Sequence, residues 1–372
     1  MPQIWVISAP GLIHIAVTHH DTLLDYALWY PGFPDGFGDI YYGRVTAHLP
    51  ALGGAFILLD KNISGFLPDN AGAKNLHNGD KIIVKVSRSA QNGKNVRLDT
   101  KNLSINIQKS TETHLIQQGP SPLEDLSRFW ENLPIIIDDP HLIHIIPSSL
   151  HNRVQIAQTS CPSIISEQID TLMESSVKLP KGIQASITPT PALVAIDMDS
   201  VSHSQENQTK IKAQFDANRI ALPPLLHQIK LRNLSGAIFI DLIGLPIKKR
   251  RLLQQDINDA LANDPLSPRL LGFTHLGLAE IVRMRKRPPL HELLTSDHGK
   301  AVKILAKVML EFNSVNHHYR YHLLKLKLHP HLYQALLKDE YAIKDFERRC
   351  SISLQLKADL TFKPQEWDFS YE

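Results

Sequence analysis

LVAIDMDS, residues 193–200, is an apolar run that ends in two carboxylates, and AIFIDLIG, residues 237–244, repeats the pattern further along the chain. Runs rich in Val, Ile and Phe and bounded by turn residues read as strands. From residue 181 onward, strand-like and helix-like segments alternate. QASITPT and ALVAIDMD are followed by a polar loop and a helix through RIALPPLLHQIKLRNL. GAIFIDLIG and a second helix, KKRRLLQQDINDALAND, complete the series. Such alternation predicts an α/β unit, in which functional groups collect beyond the carboxyl ends of the strands. Asp197 and Asp241 both stand at that place.

Two neighbouring carboxylates repel unless a cation or a shared proton lies between them, and hard oxygen ligands suit magnesium or manganese. Asp199, two residues after Asp197, points the same way along an extended chain and adds a possible ligand. The alternative is that each aspartate merely caps the turn or helix after it. The net charge is only +3, but basic residues bunch in IKKRR (247–251) and RMRKR (283–287). Either cluster alone suits a solvated helix face; beside a carboxylate-held cation, both suit hydrolysis of a phosphodiester. Other chemistries lack their motifs: there is no Gly-x-Ser-x-Gly elbow, no phosphate-binding Gly-x-x-x-x-Gly-Lys-[Ser/Thr] loop and no His-Glu-x-x-His helix. The histidine-rich stretch NHHYRYHLLKLKLHPHLY (316–333) has no metal-ligand spacing and reads as a helix surface.

With 372 residues, 43% hydrophobic and 21% charged, the chain has room for two or three globular domains. Its two cysteines, Cys161 and Cys350, build neither a disulfide framework nor a Cys-x-x-Cys zinc site. The N-terminus lacks signal-peptide features and no apolar run is long enough to span a bilayer, so a cytoplasmic protein without a membrane partner is expected.

Residues 2–30 read as three strands, QIWVISA, LIHIAVT and LLDYALWY. IYYGRVTAHL, GGAFILLD, SGFLP, KIIVKVSR and NVRLDTKNLSI, within 40–106, then suit a small closed β-barrel. The barrel carries Phe56 and Phe66, with Lys85, Arg88, Lys94 and Arg97 on the returning strands. On an oligonucleotide-binding barrel, exposed aromatics stack on bases while cations follow phosphates; otherwise both phenylalanines are core. STETHLIQQGPSPLED reads as a linker, and short helices or strands follow it without a motif. AVKILAKVMLEF, near the C-terminus, reads as an amphipathic helix.

These segments, in this order, resemble the ribonuclease E/G family of bacterial endoribonucleases. GDIYYGRVTAHLPALGGAFILLDKNISGFLP is similar to the family's S1-type RNA-binding barrel, and ALVAIDMDS to the segment bearing its first catalytic aspartate. IKLRNLSGAIFIDLIGL is similar to the segment bearing the second, and LGLAEIVRMRKRPPLHELL to the stretch downstream. The resemblance implies that Asp197 and Asp241 hold a catalytic Mg2+, with Mn2+ a possible substitute, and that Asp199 stands where the family has an asparagine that helps set a water. It implies RNA contacts at Phe56, Phe66 and Arg88, and Lys94, Arg232, Arg269 and Arg283 are counted with them.

Some positions depart from the family pattern. Pro191 and Gly244 replace acidic residues, the region after the barrel is short for a 5′-end sensor, and no Cys-Pro-x-Cys-x-Gly motif is present. No zinc, no zinc-bridged oligomer and no scaffold arm are therefore expected.

The organisation expected is α+β and multidomain. A strand segment packing on the catalytic region (1–36) precedes an S1-type barrel (37–108) and a linker with a shortened sensor-like region (109–180). An α/β metal-dependent catalytic domain (181–290) and a small C-terminal α/β appendage (291–372) follow. The function expected is magnesium-dependent cleavage of single-stranded RNA, in processing or turnover of ribosomal or messenger RNA; the alternative is a catalytically weakened RNA-binding protein.

Overall fold

A computed structural model describes residues 1–61, 63–101, 103, 112–200, 210–314 and 322–372. The polar loop after Ser200, the end of the fifth barrel segment and most of the NHHYRYH tract lie outside them. The chain divides into two compact units, Pro162–Leu290 and Met1–Cys161 with His291–Glu372.

The Pro162–Leu290 unit is built on one six-stranded sheet. Its spatial order is Ser176–Leu179, Ile183–Pro189, Leu193–Ser200, Gly236–Asp241, Ala279–Arg283 and Arg269–Phe273. The central pair, Leu193–Ser200 and Gly236–Asp241, is parallel, while the flanking pairs are antiparallel. A parallel pair needs a crossover, which the helix Lys210–Leu231 supplies.

Strand side chains alternate between faces, so burying Val194, Ile196 and Met198 with Ile238 and Ile240 fixes the face of every residue between them. The buried face packs on Leu222, Leu225, Leu226 and Ile229 of the crossover helix and on Ile257 and Leu261 of Gln254–Leu261. Asp197, Asp199 and Asp241 consequently project from the opposite face. RMRKR departs from a helix face: Arg283 closes the strand Ala279–Arg283 and points into the buried side.

In the other unit, Gln3–Ala9, Leu12–His19 and Thr22–Trp29 form the expected consecutive strands. The barrel runs Ile40–Leu49, Gly54–Asp60, Ile63–Pro68, Val96–Asp99 and Lys81–Arg88, and closes because Ile40–Leu49 pairs with both Gly54–Asp60 and Lys81–Arg88. Val45, Ala55, Ile57, Leu59, Leu67, Val84, Val86 and Leu98 fill it.

The linker reading after the barrel is corrected. His114–Gln117 is a strand on the edge of Ile40–Leu49, and Ile135–Ile137 and Val154–Ile156 extend the N-terminal sheet. Between them, Pro122–Phe129 is a helix started by a Ser121/Glu124 capping box.

The C-terminal residues are packed against the N-terminal strands. The turn at Gly11, with φ +70°, passes so close to Ala342 that a Cβ there would lie 2.3 Å from the alanine Cβ. Buried Asp339 caps the helix Glu340–Cys350 and also accepts a 2.7 Å hydrogen bond from His298, whose ring stacks on Phe33. The three-stranded sheet of Leu323–Leu328, Ser353–Ala358 and Trp367–Tyr371 completes this part. No helix among the described residues is long and apolar enough to cross a membrane.

Candidate functional site

The two apolar runs lie side by side in register: Leu193 is paired with Ala237, Ile196 with Ile240, and Asp197 with Asp241. Register partners on adjacent strands are roughly 5 Å apart at the backbone, so the two carboxylates share one patch of the open face. Partial desolvation, then the charges of Asp199 and Asp241, push the Asp197 carboxyl above the ordinary carboxylate range. The donor set is all oxygen, which suits a hard divalent cation, and such an ion needs only one or two carboxylates when water completes its shell.

Asp199 does not join this pair closely. It sits one pleat further along, roughly 7 Å away at the backbone, opposite Gln184. Among the described residues no group of three or more His, Cys, Asp and Glu side chains converges to hold a metal. Asp197 and Asp241 are register partners, with Asp199 as a charged neighbour on the same face.

Sequence reading missed two residues that shape the pair. Arg250, on the helix Ile247–Arg250, donates from Nη1 to Asp241 Oδ1 at 2.6 Å. The same guanidinium is fixed by the Leu245 carbonyl at 2.7 Å from Nε and the Gly277 carbonyl at 3.1 Å from Nη1. Asn218, fully buried on the crossover helix, holds the turn after Asp241. Its amide nitrogen donates to the Ile243 carbonyl at 3.0 Å and its amide oxygen accepts from the Ile243 N–H at 2.9 Å. The sequence shows only an asparagine at 218; its burial, which obliges it to find polar partners, is visible in the structure alone. Lys248, Lys249 and Arg251 remain exposed beside Arg250.

Two of the expected RNA contacts are buried. Arg232 is 6% exposed, and its guanidinium donates to Gln228 and to the carbonyls of Glu174 and Thr171. Arg283 is 3% exposed, pairs with Asp264 at 2.7 Å and donates to Asn233 and Leu234. A buried guanidinium already engaged by protein acceptors is poorly placed to reach a phosphate. Arg269 differs: it is exposed at the start of the edge strand Arg269–Phe273.

On the barrel, alternation turns Phe56 and Phe66 away from the Ala55, Ile57 and Leu67 core. They are cross-strand partners with ring centroids 5.5 Å apart at 65°, and both are half-buried. Phe66 pairs in turn with Arg97, and Arg97 with Arg88, so aromatic and cationic side chains occupy one row. Arg88 donates to the Asn95 carbonyl at 3.1 Å, and Lys94 is exposed in the adjoining turn.

Residues 140–286 match the profile of the Ribonuclease E/G family. The stretch includes both paired aspartates and leaves the barrel outside. The chain is 31% identical over 170 residues to Ribonuclease E of Haemophilus influenzae, across 42% of this chain and 18% of that protein. It is 32% identical over 156 residues to Ribonuclease G of the same organism, across 40% of this chain and 31% of that protein. Ribonuclease G of Salmonella typhimurium is 25% identical over 218 residues, across 55% of this chain and 44% of that protein. The chain thus spans less than half the length of each of these relatives.

Proposed function

The chain belongs to the ribonuclease E/G family, and from that premise we propose that it is a divalent-metal-dependent endoribonuclease acting on single-stranded RNA. The observation that carries this reading is the register of Asp197 with Asp241 on adjacent parallel strands. Asp197 and Asp241 would hold the ion, magnesium or manganese, and Asp199 adds negative charge nearby. When bound, the ion would supply a Lewis acid and charge neutralisation beside the scissile phosphate.

The chain's own residues do the rest. Arg250 keeps Asp241 in place, while Arg269 and the exposed Lys248, Lys249 and Arg251 hold the polyanion backbone. The barrel row of Phe56, Phe66, Arg97 and Arg88, with Lys94 in the turn, would bind the strand through stacking and phosphate contacts in the manner of an S1-type barrel. Arg232 and Arg283 have no part in this surface.

A second reading has its own support. Arg250 already occupies one oxygen of Asp241, and the pair has no third protein ligand among the described residues. A catalytically weakened RNA-binding protein on the same fold accounts for both features. A circular single-stranded RNA separates the readings, because it has no ends. Linearisation in magnesium, blocked by EDTA, supports the endonuclease. Binding without cutting, in magnesium and in manganese, supports the weakened form.

A further inference from the structure

We propose that Arg250 is a positioning residue for the aspartate pair: it holds Asp241 in the geometry that lets Asp197 and Asp241 share one divalent cation. The inference rests on the metal-site reading above and assigns a role that reading leaves open. Its basis is the number and rigidity of the contacts. Nε is held by the Leu245 carbonyl at 2.7 Å, and Nη1 is shared between Asp241 at 2.6 Å and the Gly277 carbonyl at 3.1 Å.

Leu245 and Gly277 belong to the turns that follow the second aspartate strand and precede Ala279–Arg283. Arg250 therefore ties two turns at the carboxyl end of the sheet to one carboxylate. Its side chain is 12% exposed, against 50% for Asp241, so the arginine is the fixed partner and the carboxylate is the one being oriented. Without it, a half-exposed aspartate repelled by Asp197 turns toward solvent, because that separates the two charges. Lysine cannot substitute: a single ammonium lacks the planar fork that reaches two carbonyls and a carboxylate together.

The test uses the whole chain as wild type, Arg250→Met, Arg250→Lys and Asp197→Asn. Mn2+ binding is followed by the loss of free-ion EPR signal, alongside cleavage of single-stranded RNA. A residue that orients a metal ligand affects binding or activity by roughly 10- to 100-fold when removed. Arg250→Met is expected to weaken Mn2+ binding by about that factor while melting cooperatively, and Arg250→Lys to recover only part of it. Unchanged Mn2+ affinity in folded Arg250→Met, or full recovery by lysine, overturns the proposal. If Arg250→Met does not fold, Arg250→Lys decides alone: wild-type affinity overturns the proposal and weakened affinity upholds it. Wild-type protein that binds Mn2+ through Asp197 yet leaves RNA intact refutes the nuclease reading, while the EPR comparison still decides the role of Arg250.

Discussion

Phe56 and Phe66 are cross-strand partners on the outer face of a closed barrel, their rings edge to face at 5.5 Å. Their neighbours in the same strands, Ala55, Ile57 and Leu67, are completely buried. A half-exposed aromatic pair continuing into Arg97 and Arg88 has the composition that base stacking and phosphate contacts require. Phe66→Ala is expected to weaken single-stranded RNA binding by about 1–3 kcal/mol, measured by fluorescence anisotropy, with little change in melting temperature. Unchanged affinity with a large loss of stability would show that the ring belongs to the core.

Arg283 and Arg269 lie in neighbouring strands and should separate cleanly. Arg283 forms a buried pair with Asp264, whose side chain is 7% exposed. Breaking such a pair leaves an uncompensated charge, so Arg283→Met is expected to cost about 3–5 kcal/mol in urea unfolding. Arg269→Ala, at an exposed edge, should leave stability nearly unchanged and reduce RNA affinity in a salt-dependent way. The reverse pattern would reinstate Arg283 as an RNA contact.

Acid should loosen the attachment of the C-terminal helix. Burial pushes the Asp139 carboxyl up, but the His141 N–H at 3.0 Å and the guanidinium groups of Arg348 and Arg349 pull it down further, leaving it below its ordinary value. A carboxylate held down in the folded state contributes stability above its unfolded pKa and loses that contribution as pH falls through the folded value. Asp139→Asn should therefore be less stable than wild type at about pH 7, with the gap narrowing toward about pH 3 in urea titrations. A gap independent of pH would remove Asp139 from the account of helix attachment.

Much of the architecture was legible because its signals were local. LVAIDMDS and AIFIDLIG carry their own strand pattern, and their shared ending marks the carboxyl edge where Asp197 and Asp241 meet. The barrel strands were legible for the same reason, since turn residues separate them. What escaped depends on long-range partners. Nothing local shows that Arg283 meets Asp264 or that Arg232 reaches the carbonyls of Glu174 and Thr171, so basic residues near an acidic site were read as RNA contacts. Arg250 was hidden among four other residues of IKKRR, and the path of the turn through Leu245 is what selects it over its neighbours. His114–Gln117 was read as linker because its strand character comes from the partner Ile40–Leu49 rather than from its own polar composition.

The aspartate pair is the central claim, and an A/U-rich single-stranded RNA with one fluorescent end tests it most directly. Cleavage would be followed in magnesium and in EDTA with wild type, Asp197→Asn and Asp241→Asn, each checked for folding and RNA affinity. The account predicts magnesium-dependent internal cuts by wild type and none by either variant, with RNA affinity retained within a few-fold. Cutting that persists in folded Asp197→Asn or Asp241→Asn, or that ignores EDTA, would contradict it.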